Sequence, residues 1–138
     1  MSAPPIETVV ETAVYATDLV AAEAFYAGVL GLPVTNREAG RHVFFRVGPA
    51  SMFLVFDPTT TIHGDHLPAH GSTGPGHFAL GIRPDTLDDW RRHLTVHAVA
   101  IEQEVDWPRG GHSLYFRDPA GNAVELATPG IWGTPAEW

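Results

Sequence analysis

The sequence predicts an α+β fold made of two copies of one strand–helix–meander module, and three observations carry that expectation. The segment beginning at Glu11 and the segment beginning at His77 run through the same order of short strand, helix and β meander. Phe44-Phe45-Arg46 matches Tyr115-Phe116-Arg117, and the same offset puts Leu54 on Glu125 and Pro58 on Pro129, so the register holds to the end of each copy. Finally, 138 residues with 44% hydrophobic and 17% charged side chains suit one globular domain.

Taken in order, Glu11 to Ala16 reads as a strand and Asp18 as a helix N-cap. Leu19, Ala22, Tyr26, Val29 and Leu30 form a helical stripe that Gly31 closes, in a first module spanning about residues 7–58. Residues 59–75, rich in Gly, Pro, Thr and His, read either as a linker or as a lid over a site. In the second module, about 76–130, His77 to Ile82 is the strand, Asp85 the cap, and Leu87, Trp90, Arg91 and Leu94 the stripe. Asp118-Pro119-Ala120-Gly121 is a turn, with Pro suited to its second position and Gly to a positive φ. The tail, residues 131–138, carries no usable pattern.

Charge and composition exclude several classes of function. Eight basic against 16 acidic residues give a net charge of −8, which offers nothing to nucleic acid or anionic lipid. No apolar run is long enough for a membrane span and no signal peptide is readable, so a cytoplasmic protein with a small-molecule partner is expected. With no cysteine, a disulfide scaffold, a thiol nucleophile and a thiolate metal site are all excluded, leaving His and carboxylate chemistry.

Four motifs carry a family resemblance: Tyr15-Ala16-Thr17-Asp18-Leu19, Ala24-Phe25-Tyr26 through Val29-Leu30-Gly31-Leu32, Gly76-His77-Phe78-Ala79, and Asp118-Pro119-Ala120-Gly121-Asn122-Ala123-Val124-Glu125-Leu126. In these, and over roughly residues 7–130, the chain resembles the vicinal oxygen chelate superfamily of glyoxalases, bleomycin-resistance proteins and extradiol dioxygenases. The resemblance implies two βαβββ modules forming an open, barrel-like mixed sheet, with one divalent metal held inside by first and last strands. Glu11 and His77 occupy equivalent positions in the two copies, and Glu125 falls at the family's third ligand position.

Strand alternation supports those three residues as ligands. Around His77 one face carries His77, Ala79 and Gly81 and the other Phe78, Leu80 and Ile82; around Glu125 the split is Ala123, Glu125 and Ala127 against Val124 and Leu126. Bulky residues thus lie opposite a face stripped to Ala and Gly, as a concave interior requires. Glu11 shares its face with Val9, Ala13 and Tyr15, a less clean division. Two carboxylates and an imidazole suit Fe(II), Mn, Ni, Co or Zn without choosing among them. Glyoxalase I relatives have a fourth ligand, a carboxylate that doubles as a base, where this chain has Leu54. With Met52 and Phe56 on its face, Leu54 reads instead as an apolar substrate-binding wall.

The loop Asp106-Trp107-Pro108-Arg109-Gly110-Gly111-His112 is either a substrate-contacting loop, through Trp107 and Arg109, or a tight turn. His112 is either a general acid or base or simply exposed, and Tyr115 either lines the cavity or packs in the core, as does Tyr15. His63, His66 and His70 have no regular ligand spacing and read as solvated. The expected function is a metal-dependent isomerase, lyase or dioxygenase acting on a small vicinal-oxygen substrate, in a homodimer that pairs open sheet edges. The alternative is a binding protein that sequesters a small molecule without turnover.

Overall fold

The computed structural model describes residues 2–64 and 66–133, so the end of the tail, residues 134–138, lies outside the described residues. The chain divides into two compact units, Met1–Gly71 and Ser72–Trp138. Each contains one βαβββ module, and each sheet is mixed and open.

In the first unit, strands β1 (Glu11–Tyr15), β2 (Val34–Glu38), β3 (His42–Val47) and β4 (Ser51–Phe56) are ordered β1-β4-β3-β2. β1 runs parallel to β4 and the other pairs are antiparallel. Residues directly across β3 and β4 alternate between faces. Phe45 opposite Phe53 and Val43 opposite Val55 are all buried, while Phe44 opposite Leu54 and His42 opposite Phe56 present the other face. Onto the first set packs a helix that starts as α1 (Leu19–Glu23) and continues as a π-helical stretch, Ala24–Val29. Asp18 caps it by accepting from the Ala21 N–H at 2.9 Å, as the sequence predicts. The widened turn, with the Leu30 N–H donating to the Phe25 carbonyl, lets consecutive Phe25 and Tyr26 both face inward. The Tyr26 ring lies 4.6 Å from Phe53 and 5.6 Å from Phe45.

Residues 59–71 belong to the first unit. Asp57 caps the short helix α2 (Pro58–Thr61), the Thr60 hydroxyl donates to the Gly40 carbonyl at 2.6 Å, and the His70 N–H donates to the Thr61 carbonyl at 3.0 Å.

The second unit repeats the plan with β5 (His77–Gly81), β6 (Gln103–Asp106), β7 (His112–Arg117) and β8 (Ala123–Ala127), ordered β5-β8-β7-β6. Equivalent registers confirm the repeat: Glu11 pairs with Met52 as His77 pairs with Ala123, and Phe44 faces Leu54 as Tyr115 faces Glu125. Helix α3 (Leu87–Val96) buries Leu94 completely, and Leu114, Phe116, Val124 and Leu126 form the apolar face of the sheet. Asp85 is not the cap of α3. Pro84 opens a 3₁₀ turn, Pro84–Thr86, ahead of the helix, Thr86 takes the N-cap position, and Asp85 instead pairs with Arg83 at 2.7 Å.

Candidate functional site

The turn before β8 fixes the two strands that carry His77 and Glu125. Asp118 Oδ1 accepts from the backbone N–H groups of Ala120 and Asn122, at 2.9 and 2.8 Å, and Gly121 takes the positive φ of 88° that the turn needs. Asn122 Nδ2 donates to Asp118 Oδ2, and Asn122 Oδ1 accepts from the Gly76 N–H at 2.7 Å. Gly76 is locked to the start of β8, and His77 therefore enters β5 directly beside Ala123.

His77 Nδ1 donates to the Ala123 carbonyl at 3.0 Å, and its Nε2 lies 3.2 Å from Glu125 Oε2. With Nδ1 donating in the neutral ring, Nε2 carries a lone pair, so two electron-rich atoms face one another and call for a proton or a cation between them. For two ligands on one metal with bonds of about 2.1 Å, the expected separation is roughly 3.0 Å at a right angle and 3.4 Å at the tetrahedral angle. The observed spacing falls between these. A ligand imidazole whose other nitrogen donates to a backbone carbonyl is the usual supporting arrangement at a metal.

Glu125 is 5% exposed, and a carboxylate so buried requires partners. Trp107 Nε1 donates to Ser113 Oγ at 2.8 Å, and Ser113 Oγ donates onward to Glu125 Oε1 at 2.5 Å. Tyr115, directly across from Glu125, has its phenol pKa pushed up, first by burial and then by the Glu125 charge, so it stays protonated. Its ring centroid is 6.1 Å from that of His77. His77, Ser113, Tyr115 and Glu125 thus form one polar group on one sheet face.

Glu11 belongs to the first unit, where it lines a cavity of about 640 Å³ together with Leu54, Phe56 and Phe44. The wall expected from Leu54 and Phe56 is there, whereas Met52 is not among its lining residues. The stretch after α2 contributes His66, Leu67, Pro68 and His70 to the same cavity. His70 is not merely solvated: its Nδ1 lies 2.8 Å from the Tyr15 hydroxyl and its ring 4.6 Å from that of Phe56. Among the described residues, no group of three or more His, Asp or Glu is gathered to hold a metal ion; His77 and Glu125 stand as a pair.

The loop between β6 and β7 is a tight turn, closed by the Trp107 N–H to the Gly111 carbonyl at 3.1 Å. A Cβ at Gly111 would meet Ile131 Cγ2 at 2.7 Å, which requires glycine there. Trp107 is turned toward Ser113, and Arg109 donates to the Trp132 carbonyl at 3.0 Å. His112 is engaged at both ring nitrogens, Nδ1 with Asp106 and Nε2 with Glu104, each at 2.7 Å. Those carboxylates raise its pKa and occupy both ring nitrogens, so the ring acts as a clamp between them. Sequence reading missed Ser113 and His42. Alternation from Tyr115 and Phe44 points to both, since each lies two residues earlier on the same face.

The comparisons with known proteins agree with the fold. The Glyoxalase/Bleomycin resistance protein/Dioxygenase superfamily matches residues 8–126. The crystal structure of lactoylglutathione lyase from Agrobacterium tumefaciens is 40% identical over 95% of this chain and 100% of that one, with a TM-score of 0.89. A glyoxalase/bleomycin resistance protein/dioxygenase from Nocardioides is 21% identical, covers 99% of this chain and 92% of that one, and has a TM-score of 0.73. An integron cassette protein from the Halifax Harbour sewage outfall metagenome, 23% identical over 89% of this chain and 99% of that one, also scores 0.73. The last two show likeness of fold alone. No described helix is long and apolar enough to cross a membrane.

Proposed function

The chain belongs to the Glyoxalase/Bleomycin resistance protein/Dioxygenase superfamily, and from that premise we propose that it is a metal-dependent enzyme acting on a small substrate with two adjacent oxygen atoms. The observation that carries this reading is the 3.2 Å approach of His77 Nε2 to the buried Glu125 Oε2. In the proposal His77 and Glu125 ligate one divalent ion, Fe, Mn, Ni, Co or Zn, and Glu11 is the third ligand by its equivalence to His77 in the repeat. Bound there, the ion supplies Lewis acidity toward the substrate oxygens.

The protein's own residues set the conditions for that chemistry. Ser113 fixes Glu125 Oε1 and turns Oε2 toward His77, while the Ala123 carbonyl fixes the His77 tautomer. Tyr115 keeps its proton and directs it to the Glu125 carboxylate, a further contact that sets how Glu125 is presented. The 40% identical lyase favours lyase or isomerase chemistry over dioxygenase chemistry. Leu54 argues against the particular reaction of that lyase, because a leucine neither ligates nor takes a proton. In the same proposal the chain works as a homodimer, since β1 and β5 are edge strands of their sheets.

Elemental analysis of protein purified without added metal tests the reading. One divalent metal per chain, lost in His77→Ala and Glu125→Ala, supports it; full occupancy in both variants refutes it. The cavity beside Leu54 and Phe56 favours, as a second reading, capture of a small molecule without turnover. Substrate disappearance at less than stoichiometric protein separates the two.

A further inference from the structure

All eight Lys and Arg positions of this acidic chain are arginines. Arg37, Arg83, Arg91, Arg92 and Arg117 each pair with a carboxylate. Arg46 and Arg109 donate to backbone carbonyls instead, and for Arg41 no carboxylate among the described residues lies within ion-pairing distance, although acidic side chains outnumber basic ones 16 to 8. Arg41 nevertheless lines the cavity of the first unit.

The surroundings hold this guanidinium in place without neutralising it. Its NH1 lies 2.7 Å from His42 Nδ1, and because a guanidinium only donates, that nitrogen must accept. The His42 proton is then on Nε2, which donates to Asn36 Oδ1 at 2.6 Å. Burial first, and the Arg41 charge second, push the His42 pKa down, against a weaker opposing pull from Glu38. His42 is therefore a neutral support, buried and stacked on Phe44 at 3.9 Å. The Arg41 guanidinium carbon also lies 5.6 Å from the Phe56 ring centroid. An oriented cation with no carboxylate partner among the described residues thus borders a cavity of about 640 Å³ whose wall includes Phe44, Leu54 and Phe56.

We propose that this cavity receives a monocarboxylate with an aromatic or alkyl body, Arg41 holding the carboxylate and the apolar wall the body. A single planar guanidinium matches the two oxygens of one carboxylate. Glu11 and Glu38 line the same cavity and repel a second anionic group, which restricts the ligand to one. The inference goes beyond the metal centre and stands without it, so it is tested on metal-free protein.

Full-length protein treated with EDTA is titrated calorimetrically at about pH 8, above the ordinary imidazole range. The probes are benzoate, phenylacetate, 3-phenylpropionate and hexanoate, each beside its neutral primary amide. At least one acid is expected to bind about tenfold or more tightly than its amide. Arg41→Gln should bring that pair to within about threefold by weakening the acid alone, and Arg41→Lys should keep part of the preference. His77→Ala should change neither value, which separates this site from the metal reading. Unchanged amide binding in Arg41→Gln shows that the cavity persists. Equal binding of every acid and its amide, binding of no probe, or an acid preference that survives in Arg41→Gln would overturn the proposal.

Discussion

The Ser113 hydroxyl donates to Glu125 Oε1 across 2.5 Å, and Trp107 fixes the direction of that bond by donating its own indole N–H to the same hydroxyl. Glu125 is the most buried of the three proposed ligands, so the relay decides how its carboxylate is presented. Removing a group that orients a ligand typically costs about 10- to 100-fold in metal affinity. Ser113→Ala is expected to weaken metal binding by that order, read by competition with a chromogenic chelator. Trp107→Phe should weaken it less, because Ser113 keeps its own bond. Unchanged affinity in Ser113→Ala would remove the relay from the account of the site.

Loss of a proposed ligand should do more. His77→Ala and Glu125→Ala are each expected to reduce affinity by over about 100-fold while far-ultraviolet circular dichroism keeps the pattern of the parent. Glu125→Ala also removes a buried charge that needs partners, so its thermal midpoint is expected to hold or rise once metal is stripped from both proteins. Chelation should lower the midpoint of the parent and leave that of His77→Ala unmoved.

What the sequence made legible, and what it did not, divides along the range of the interactions. Glu125, His77 and their small-residue faces follow from a period of two, which is local, and the repeat aligned Leu54 with Glu125 before any register was known. The bond from His42 to Asn36, which turns the other ring nitrogen toward Arg41, depends on how β2 meets β3, including a register shift between Val34 and Asn36 that no local pattern encodes. His112 reads as a general acid or base, or as simply exposed, for the same reason. Its captors, Glu104 and Asp106, lie on the neighbouring strand β6, and only strand pairing brings them to it. Asp85 preceded a helical stripe and so resembled a cap, but Pro84 diverted the chain into a 3₁₀ turn.

The His112 cluster makes folding stability depend on pH. Asp106 and then Glu104 raise the folded-state pKa of His112 above its ordinary value, against burial and with Arg91 NH2 at 3.4 Å. A raised pKa contributes stability that is fully present below the unfolded value, near 6.5, and is lost as pH rises through the folded value. Asp106 is almost wholly exposed, which limits the effect to about 1 kcal/mol. Urea midpoints measured from pH 6 to pH 9 should therefore fall more steeply with pH for the parent than for His112→Gln. Parallel curves would show that the clamp contributes nothing to folding.

The edge strands bear on assembly. β1 and β5 each pair on one side only within their sheets, and Val9 and Val10, just ahead of β1, are 75% and 63% exposed. An open edge flanked by exposed valines is expected to be covered by a second copy. Light scattering at micromolar concentration should give about 30 kDa, twice the 14.9 kDa chain mass. A mass near that of one chain would exclude the homodimer.

The proposed departure from the named activity of the 40% identical lyase neighbour rests on Leu54. It lies opposite Phe44 in the register that places Glu125 opposite Tyr115, so the first unit has an apolar side chain where the second has a carboxylate. It is 7% exposed, at the wall of the first unit's cavity. Isomerising the methylglyoxal–glutathione adduct requires a proton to leave one carbon and return to its neighbour, and a positioned base contributes about 10²- to 10⁴-fold to such a step. Metal-loaded parent protein is therefore expected to isomerise the adduct at least about 100-fold more slowly than a glyoxalase I assayed beside it. Leu54→Glu should raise the rate, with its gain in kcat rather than in KM, because the added carboxylate acts on the reacting proton and not on the bound substrate. The same variant should lose affinity for apolar ligands of the cavity, which shows that the new side chain reaches it. A parent rate equal to that of the comparison enzyme would mean that another group, with Tyr115 the first to test, moves the proton in place of the missing carboxylate.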